Sequence, residues 1–243
     1  MFARLRTAVQ LRYSDSIDYK KYEMRIERLI NRHVQSDEVK VITQLVNIFD
    51  TEAFEKEVDQ AVGAAAKADT IASRTSKYIT ENMESDPAFY KKLSQLIRES
   101  IEAYEQGRLN ENEYLERMRG YKDDVLNHTD SEMPQELVNN HAAKAYYGIA
   151  LENYSRLFVD GPVKEMALAT SQSFDAIIRK HVIVDDAVIV DWQTKSDLVG
   201  KMKIAMEDDL IDNIKRKYDV DLTFDDMDVI IDGCVDVAKI WIK

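Results

Sequence analysis

Proline occurs three times and glycine seven times in 243 residues, about 4% together where ~12% is ordinary. That shortage removes most of the turn punctuation an all-β sandwich or barrel would need. There is one cysteine, Cys234, which excludes an internal disulfide and any zinc or iron–sulfur site built on several thiolates. No apolar run approaches the ~20 residues of a membrane-spanning helix. The opening stretch MFARLRTAVQLRYSD has arginines but no uninterrupted apolar core, so it does not read as a secretory signal. What is present is a hydrophobic fraction of 45%, enough to bury a core and to exclude wholesale disorder. The expectation is an all-α, soluble, cytoplasmic protein.

Positive charge is scarce as well: 33 basic against 45 acidic side chains leave a formal charge of −12. Residues 1–34 hold eight basic and four acidic residues, whereas residues 182–232 hold six basic and 14 acidic. Phosphate binding needs a clustered positive field, and only the first stretch supplies one. Solvated faces are the plainer account of both asymmetries.

Apolar residues recur at helical spacing through most of the chain. Tyr19, Tyr22, Ile26, Leu29, Ile30 and His33 predict a helix over Asp18–Val34, with Arg25, Arg28 and Arg32 on an adjacent polar stripe. Residues 36–50 lack a period and read as a connector. Asp50 or Thr51 then caps a helix over about 51–83, in which Phe54, Val58, Ala61, Ala65, Ala68, Ala72, Thr75, Ile79 and Asn82 form a heptad seam. Its small middle, Gly63 to Ala68, predicts close approach by another helix, of this chain or of a second subunit.

Asp86–Pro87 reads as a cap followed by proline at the first helical position, and Gly107 as the stop of that helix. Asn110 with Glu113 has capping-box spacing. Polar residues 128–132 before Pro134 mark a candidate boundary, with an N-terminal helical lobe over 1–130 and a C-terminal one over 131–243, or one continuous domain. A helix follows from Leu137 to about Phe158, another carries Val163 to Ile178, and Val182–Trp192 reads as a short hairpin or an extended connector. Two last helices carry Leu198 to Ile214 and, capped by Thr223 with Asp226, Met227 to Trp241. The whole is expected to be a bundle of antiparallel helices.

Chemistry-bearing motifs are mostly missing. A di-iron bundle needs Glu three residues before His, but Ile30, Val125, Val138 and Ile178 precede His33, His128, His141 and His181. The run Asp219, Asp221, Thr223, Asp225 imitates the start of a calcium loop, yet Phe224 and Ile230 stand where glycine and a bidentate glutamate belong. Scattered single glycines make no phosphate-cradling loop. Cys234 sits at a core position and reads as a buried, inert thiol. No catalytic, cofactor-binding or metal-ligating residue is assigned.

Several segments carry a resemblance. They are Leu5–Arg6; Ile17–Asp18, Tyr22–Glu23, Leu29–Ile30 and His33–Val34; Phe54–Glu55; Ala68-Asp69-Thr70-Ile71-Ala72-Ser73-Arg74-Thr75; Asp86-Pro87-Ala88-Phe89-Tyr90; Ala142-Ala143-Lys144-Ala145-Tyr146-Tyr147-Gly148; Val190-Asp191-Trp192; and Asp208–Asp209. In order and spacing, over nearly the whole chain, these resemble the C-terminal helical region of the restriction (motor) subunit of type I restriction–modification enzymes. The resemblance implies a parent with a nuclease domain of the PD-(D/E)xK kind and two RecA-like motors, a site-specific deoxyribonuclease that uses ATP and magnesium to translocate DNA. None of those motifs is in this chain, which would follow the motors, and Met1 need not be a native start. It would act without catalysis, as the assembly module docking the motor onto the modification (methyltransferase) and specificity subunits. It would take no small-molecule substrate, contact no membrane, and meet DNA only through the full complex.

A dock of that kind desolvates a few aromatic anchors, and Tyr146, Tyr147 and Trp192 are the candidates, with ordinary core packing as the alternative. Two further readings stand beside it. One is an oligomerisation scaffold using the alanine-rich seam; the other is a DNA-backbone-binding domain using Arg25, Arg28 and Arg32.

Overall fold

A computed structural model describes residues 47–128, 133–159 and 161–243. The expected helix over 18–34, its three arginines and most of the 36–50 connector lie outside them. The fold is all-α: eight α-helices, mostly antiparallel, with one small hairpin among the described residues. Contacts divide the described residues into two compact units, residues 47–81 with 96–126, and residues 82–95 with those from 127 onward. Residues 82–95, placed by the sequence in the first lobe, therefore group with the second.

In the first unit, α1 (Thr51–Gln60) starts at Asp50, whose carboxylate accepts from the Ala53 amide at 3.1 Å. The single long helix expected over 51–83 is corrected here: α1 stops, and α2 (Ala64–Asn82) begins after Gly63, at φ +94°. Had the helix continued, Glu57 and Arg74 would stand about 25 Å apart along it. Instead they form an ion pair, and Lys67 reaches Asp59 at 2.7 Å. The chain has turned back, which buries Phe54 and Val58 completely, each gaining about 1.5–3 kcal/mol of desolvation.

Helix α3 (Pro87–Glu105) supplies residues to both units. It ends in a Schellman turn, Arg108 N–H to Ala103 C=O at 2.8 Å and Gly107 N–H to Tyr104 C=O at 2.9 Å, with Gly107 at φ +70°. Helix α4 (Glu111–Asn127) opens with the expected box: the Asn110 amide donates to Glu113 at 2.9 Å and the Glu113 amide to Asn110 at 3.0 Å. Tyr114, stacked on Tyr104 at 4.7 Å, donates to Asp69 at 2.9 Å, joining α4 to α2.

The second unit is built on an antiparallel pair, α5 (His141–Leu157) and α6 (Val163–Val182), locked by the Tyr154–Thr170 hydroxyl contact at 2.9 Å. A 3₁₀ turn at Gln135–Leu137 precedes α5, so the expected start near Leu137 moves to His141, capped by Asn140. The segment after α6 is a hairpin, β1 (Ile183–Val184) and β2 (Ala187–Val188). Asp185 and Asp186, at φ +49° and +62°, make the two-residue turn whose twist matches such strands.

Helix α7 (Ser196–Asp209) runs into wider π turns over Leu210–Arg216. Its buried residues Met202, Met206, Leu210 and Ile214 recur every four, a spacing that drifts about 40° per step on an α-helix. The π turns remove part of that drift and keep Ile214 in the core. Helix α8 (Phe224–Trp241) packs on α5 and α7, and its start is the predicted Thr223–Asp226 capping box. No helix among the described residues is long and apolar enough to cross a membrane.

Candidate functional site

The most polar buried region of the second unit gathers at the start of α3. Asp86 caps that helix, its Oδ1 accepting from the Phe89 amide at 3.2 Å. Its Oδ2 lies 2.9 Å from Nε2 of His128. His128 follows α4 directly and holds φ +48°, a left-handed conformation that few non-glycine residues adopt, histidine more readily than most. The two side chains are 1% and 9% exposed, so the pair is desolvated and each needs the other.

Lys144, one turn into α5, is 4% exposed and donates from Nζ to the His128 carbonyl at 3.1 Å. Rings close the cluster. Phe89 stacks on His128 at 4.4 Å, His141 meets its edge at 5.4 Å, and Trp241 stacks on His141 at 5.3 Å. The Trp241 indole donates to the Ser85 carbonyl at 2.8 Å, which brings the end of α8 to the same place. Burial, then the neighbouring His128 and Lys144, lowers the pKa of His141, with Asp86 opposing. Burial also lowers that of Lys144 against the pull of Asp86.

Beside this cluster a groove of about 330 Å³ opens between the first half of α3 and α5. Its base is a close helix approach: a Cβ on Gly148 would lie 2.8 Å from that of Ala88. Lys91 and Glu152 bridge it at 2.8 Å. Lys92, Lys144 and Leu151 are among its other lining residues.

The aromatic residues expected to form a dock are corrected by their burial. Tyr146 and Trp192 are fully buried and Tyr147 is 3% exposed. Trp192 donates to the Ile242 carbonyl at 2.9 Å, holding the post-hairpin segment to the C-terminal residues. Tyr146 and Tyr147 are core side chains because their face of α5 packs inward against α6 and α8, and Trp192, on a 3₁₀ turn after the hairpin, enters the same core beside α7; Tyr147 alone also reaches the groove. Arg25, Arg28 and Arg32 lie outside the described residues. Cys234 is buried, and burial pushes its thiol pKa up, away from the reactive thiolate. Among the described residues no group of three or more His, Cys, Asp or Glu is placed to hold a metal.

The Asp86–His128–Lys144 cluster went unread in the sequence. Asp86 and Pro87 announced a cap, but the partner stands 42 residues away, and nothing local marks His128 as its target. Comparison of the chain with family models, curated proteins and solved structures returned no match.

Proposed function

We propose that the chain is a non-catalytic assembly module, the C-terminal helical part of a type I restriction subunit, docking an ATP-driven DNA motor onto its methyltransferase core in the cytoplasm. One observation supports this reading above the others. Two segments on which the resemblance rests, Asp86–Tyr90 and Ala142–Gly148, are far apart in sequence, yet they face each other. Ala88 meets Gly148, and Asp86 and Lys144 both contact His128. Pieces of one sequence pattern that meet at a single buried junction suit one rigid unit, as an anchoring module requires, and not two independent helices.

The role is mechanical. A motor that reels DNA while held at its recognition site must be anchored against the reaction force. Helices pinned by buried polar contacts and close packing transmit force with little deformation. The chain's partners would be the modification and specificity subunits, and DNA would be met through the complex.

The test mixes the purified chain with a separately purified core of modification and specificity subunits encoded beside its parent, and follows association by sedimentation velocity. A stable complex is expected, with no ATP hydrolysis or duplex cleavage by the chain alone. A chain that sediments apart from the core at micromolar concentration, or that self-associates tightly instead, overturns the proposal.

A further inference from the structure

We infer that the seat of α1 accepts the α1 of a second copy of this chain, so that two copies pair by exchanging that helix. In each copy the link 61–63 straightens and joins α1 to α2 in one helix. This goes beyond the docking reading and does not rest on it. What covers the seat is on view, because α1 itself covers it. The Phe49 ring just before α1 meets Tyr78 of α2 at 5.1 Å. Glu57 pairs with Arg74, and Asp59 with Lys67. On α4, Lys122 donates to Glu55 at 3.0 Å and lies over the Phe54 ring at 5.2 Å. All of these join residues before the link to residues after it, so two copies that exchange α1 remake every one of them.

The link itself does little to hold the bend. Val62 is 93% exposed, and a Cβ on Gly63 would meet nothing within 4 Å. No proline lies in it, and the heptad seam from Phe54 to Asn82 passes through it unbroken. A straight helix over 51–82 would be about 48 Å long. The pairs that face each other across the bend, 49 with 78, 57 with 74 and 59 with 67, are centred on positions 63 to 66. Two straight helices that keep those pairs run antiparallel and cross their two-fold axis at the same positions. Ala64, Ala65 and Ala66 stand there, half-exposed within one copy. Side chains of that size let two backbones approach closely, so the exchange buries the alanine-rich middle against its own equivalent. Bent and exchanged forms share the contacts of α1, so concentration decides between them. A tethered arm has an effective concentration of millimolar order, and the chain is therefore single at micromolar concentration.

The experiment uses the whole chain alone. It is held at about 1 mM in mild urea to open α1, then diluted and read at once by sedimentation velocity. A slowly dissociating dimer is expected. Val62→Pro should abolish it, since proline breaks a straight helix. The bend tolerates that change, because Ala61 already holds the extended ψ of 133° that a residue before proline prefers. Gly63→Ala, which strains the bend and favours helix, should raise the dimerisation constant about tenfold or more. A second arm mixes Glu57→Arg with Arg74→Glu. Each variant alone sets like charges across α1 and α2, whereas an exchanged pair of the two restores an opposite pair at both seats. The mixture should dimerise about tenfold or more tighter than either variant alone, whether or not the single variants fold by themselves. A dimer that Val62→Pro leaves intact is held by another surface and overturns the inference. So does a chain that stays single at about 1 mM even with Gly63→Ala, and so does a mixture that associates no better than its components.

Discussion

Gly148 and Ala88 meet where α5 crosses the start of α3, and the space between them has no room for a methyl group. A Cβ at residue 148 would lie 2.8 Å from the Ala88 Cβ, closer than non-bonded carbons tolerate, and the obstacle is a short side chain that cannot swing aside. Gly148→Ala should therefore destabilise the protein by about 1–3 kcal/mol, as overpacking does. Pairing it with Ala88→Gly removes the obstacle, so the double variant should recover part of that loss in a urea-unfolding cycle. Strict additivity of the two costs would show that the contact is not the cause. His141 makes a second residue-scale prediction. Burial, His128 and Lys144 lower its folded-state pKa below the ordinary 6.5, and Asp86 only partly opposes them. On acidification the unfolded chain takes this proton first, so stability present above about pH 6.5 is lost as pH falls through the lowered folded value. His141→Phe keeps a ring against Trp241 and does not titrate, so between about pH 7 and 5.5 its unfolding free energy should fall less steeply than the parent's. Equal slopes in chemical denaturation would refute the assignment. At this scale the sequence disclosed Asp86 as a cap and concealed its partner, because hydrogen-bonding rules of a helix start are local and the reach to His128 is not. It also offered Tyr146, Tyr147 and Trp192 as aromatic anchors without saying which way they face. Burial against α6, α7 and α8 answers that, and no residue type encodes it.

Elements were legible wherever their ends are set by neighbours in the chain. The starts at Asp50, Asp86, Asn110 and Thr223 and the stop at Gly107 were all announced by residues within one turn. The break between α1 and α2 was not, since the alanine-rich seam runs through it unbroken and alanine favours helix. The gain that outweighs propensity there comes from distant partners: Phe54 and Val58 enter the core and Glu57 meets Arg74. Only Gly63 hints at the turn, by adopting φ +94° with open space around it. Gly63→Ala should consequently cost about 1 kcal/mol through backbone strain alone, with no steric contribution. If the thermal midpoint instead rises, the straight helix is within reach and the turn-back is only marginally preferred. The hairpin and the π turns sit between these extremes. Asp185 and Asp186 tolerate left-handed backbone, which leaves hairpin and connector both open on sequence grounds. The four-residue repeat from Met202 to Ile214 betrays a wider turn only once its inward direction is known.

For the whole molecule, the proposed role separates two outputs of the parent complex. Methylation belongs to the core that the chain would grip, whereas translocation and cleavage belong to the motor that the chain would carry. A chain holding only the grip should then act as a competitor, occupying the dock without delivering a motor. Added in excess to a reconstituted enzyme, it should suppress ATP-dependent translocation, read by triplex displacement, in proportion to dock occupancy, while methyl transfer to the same DNA continues. The net charge of −12 makes a trivial cause, masking of the DNA by the chain, electrostatically unfavourable. Preincubating core with motor before adding the chain should delay the inhibition, because displacement waits on dissociation of the existing dock. Suppression of methylation and translocation together would point to DNA or to the recognition subunit, and would remove the ground for a dedicated anchor.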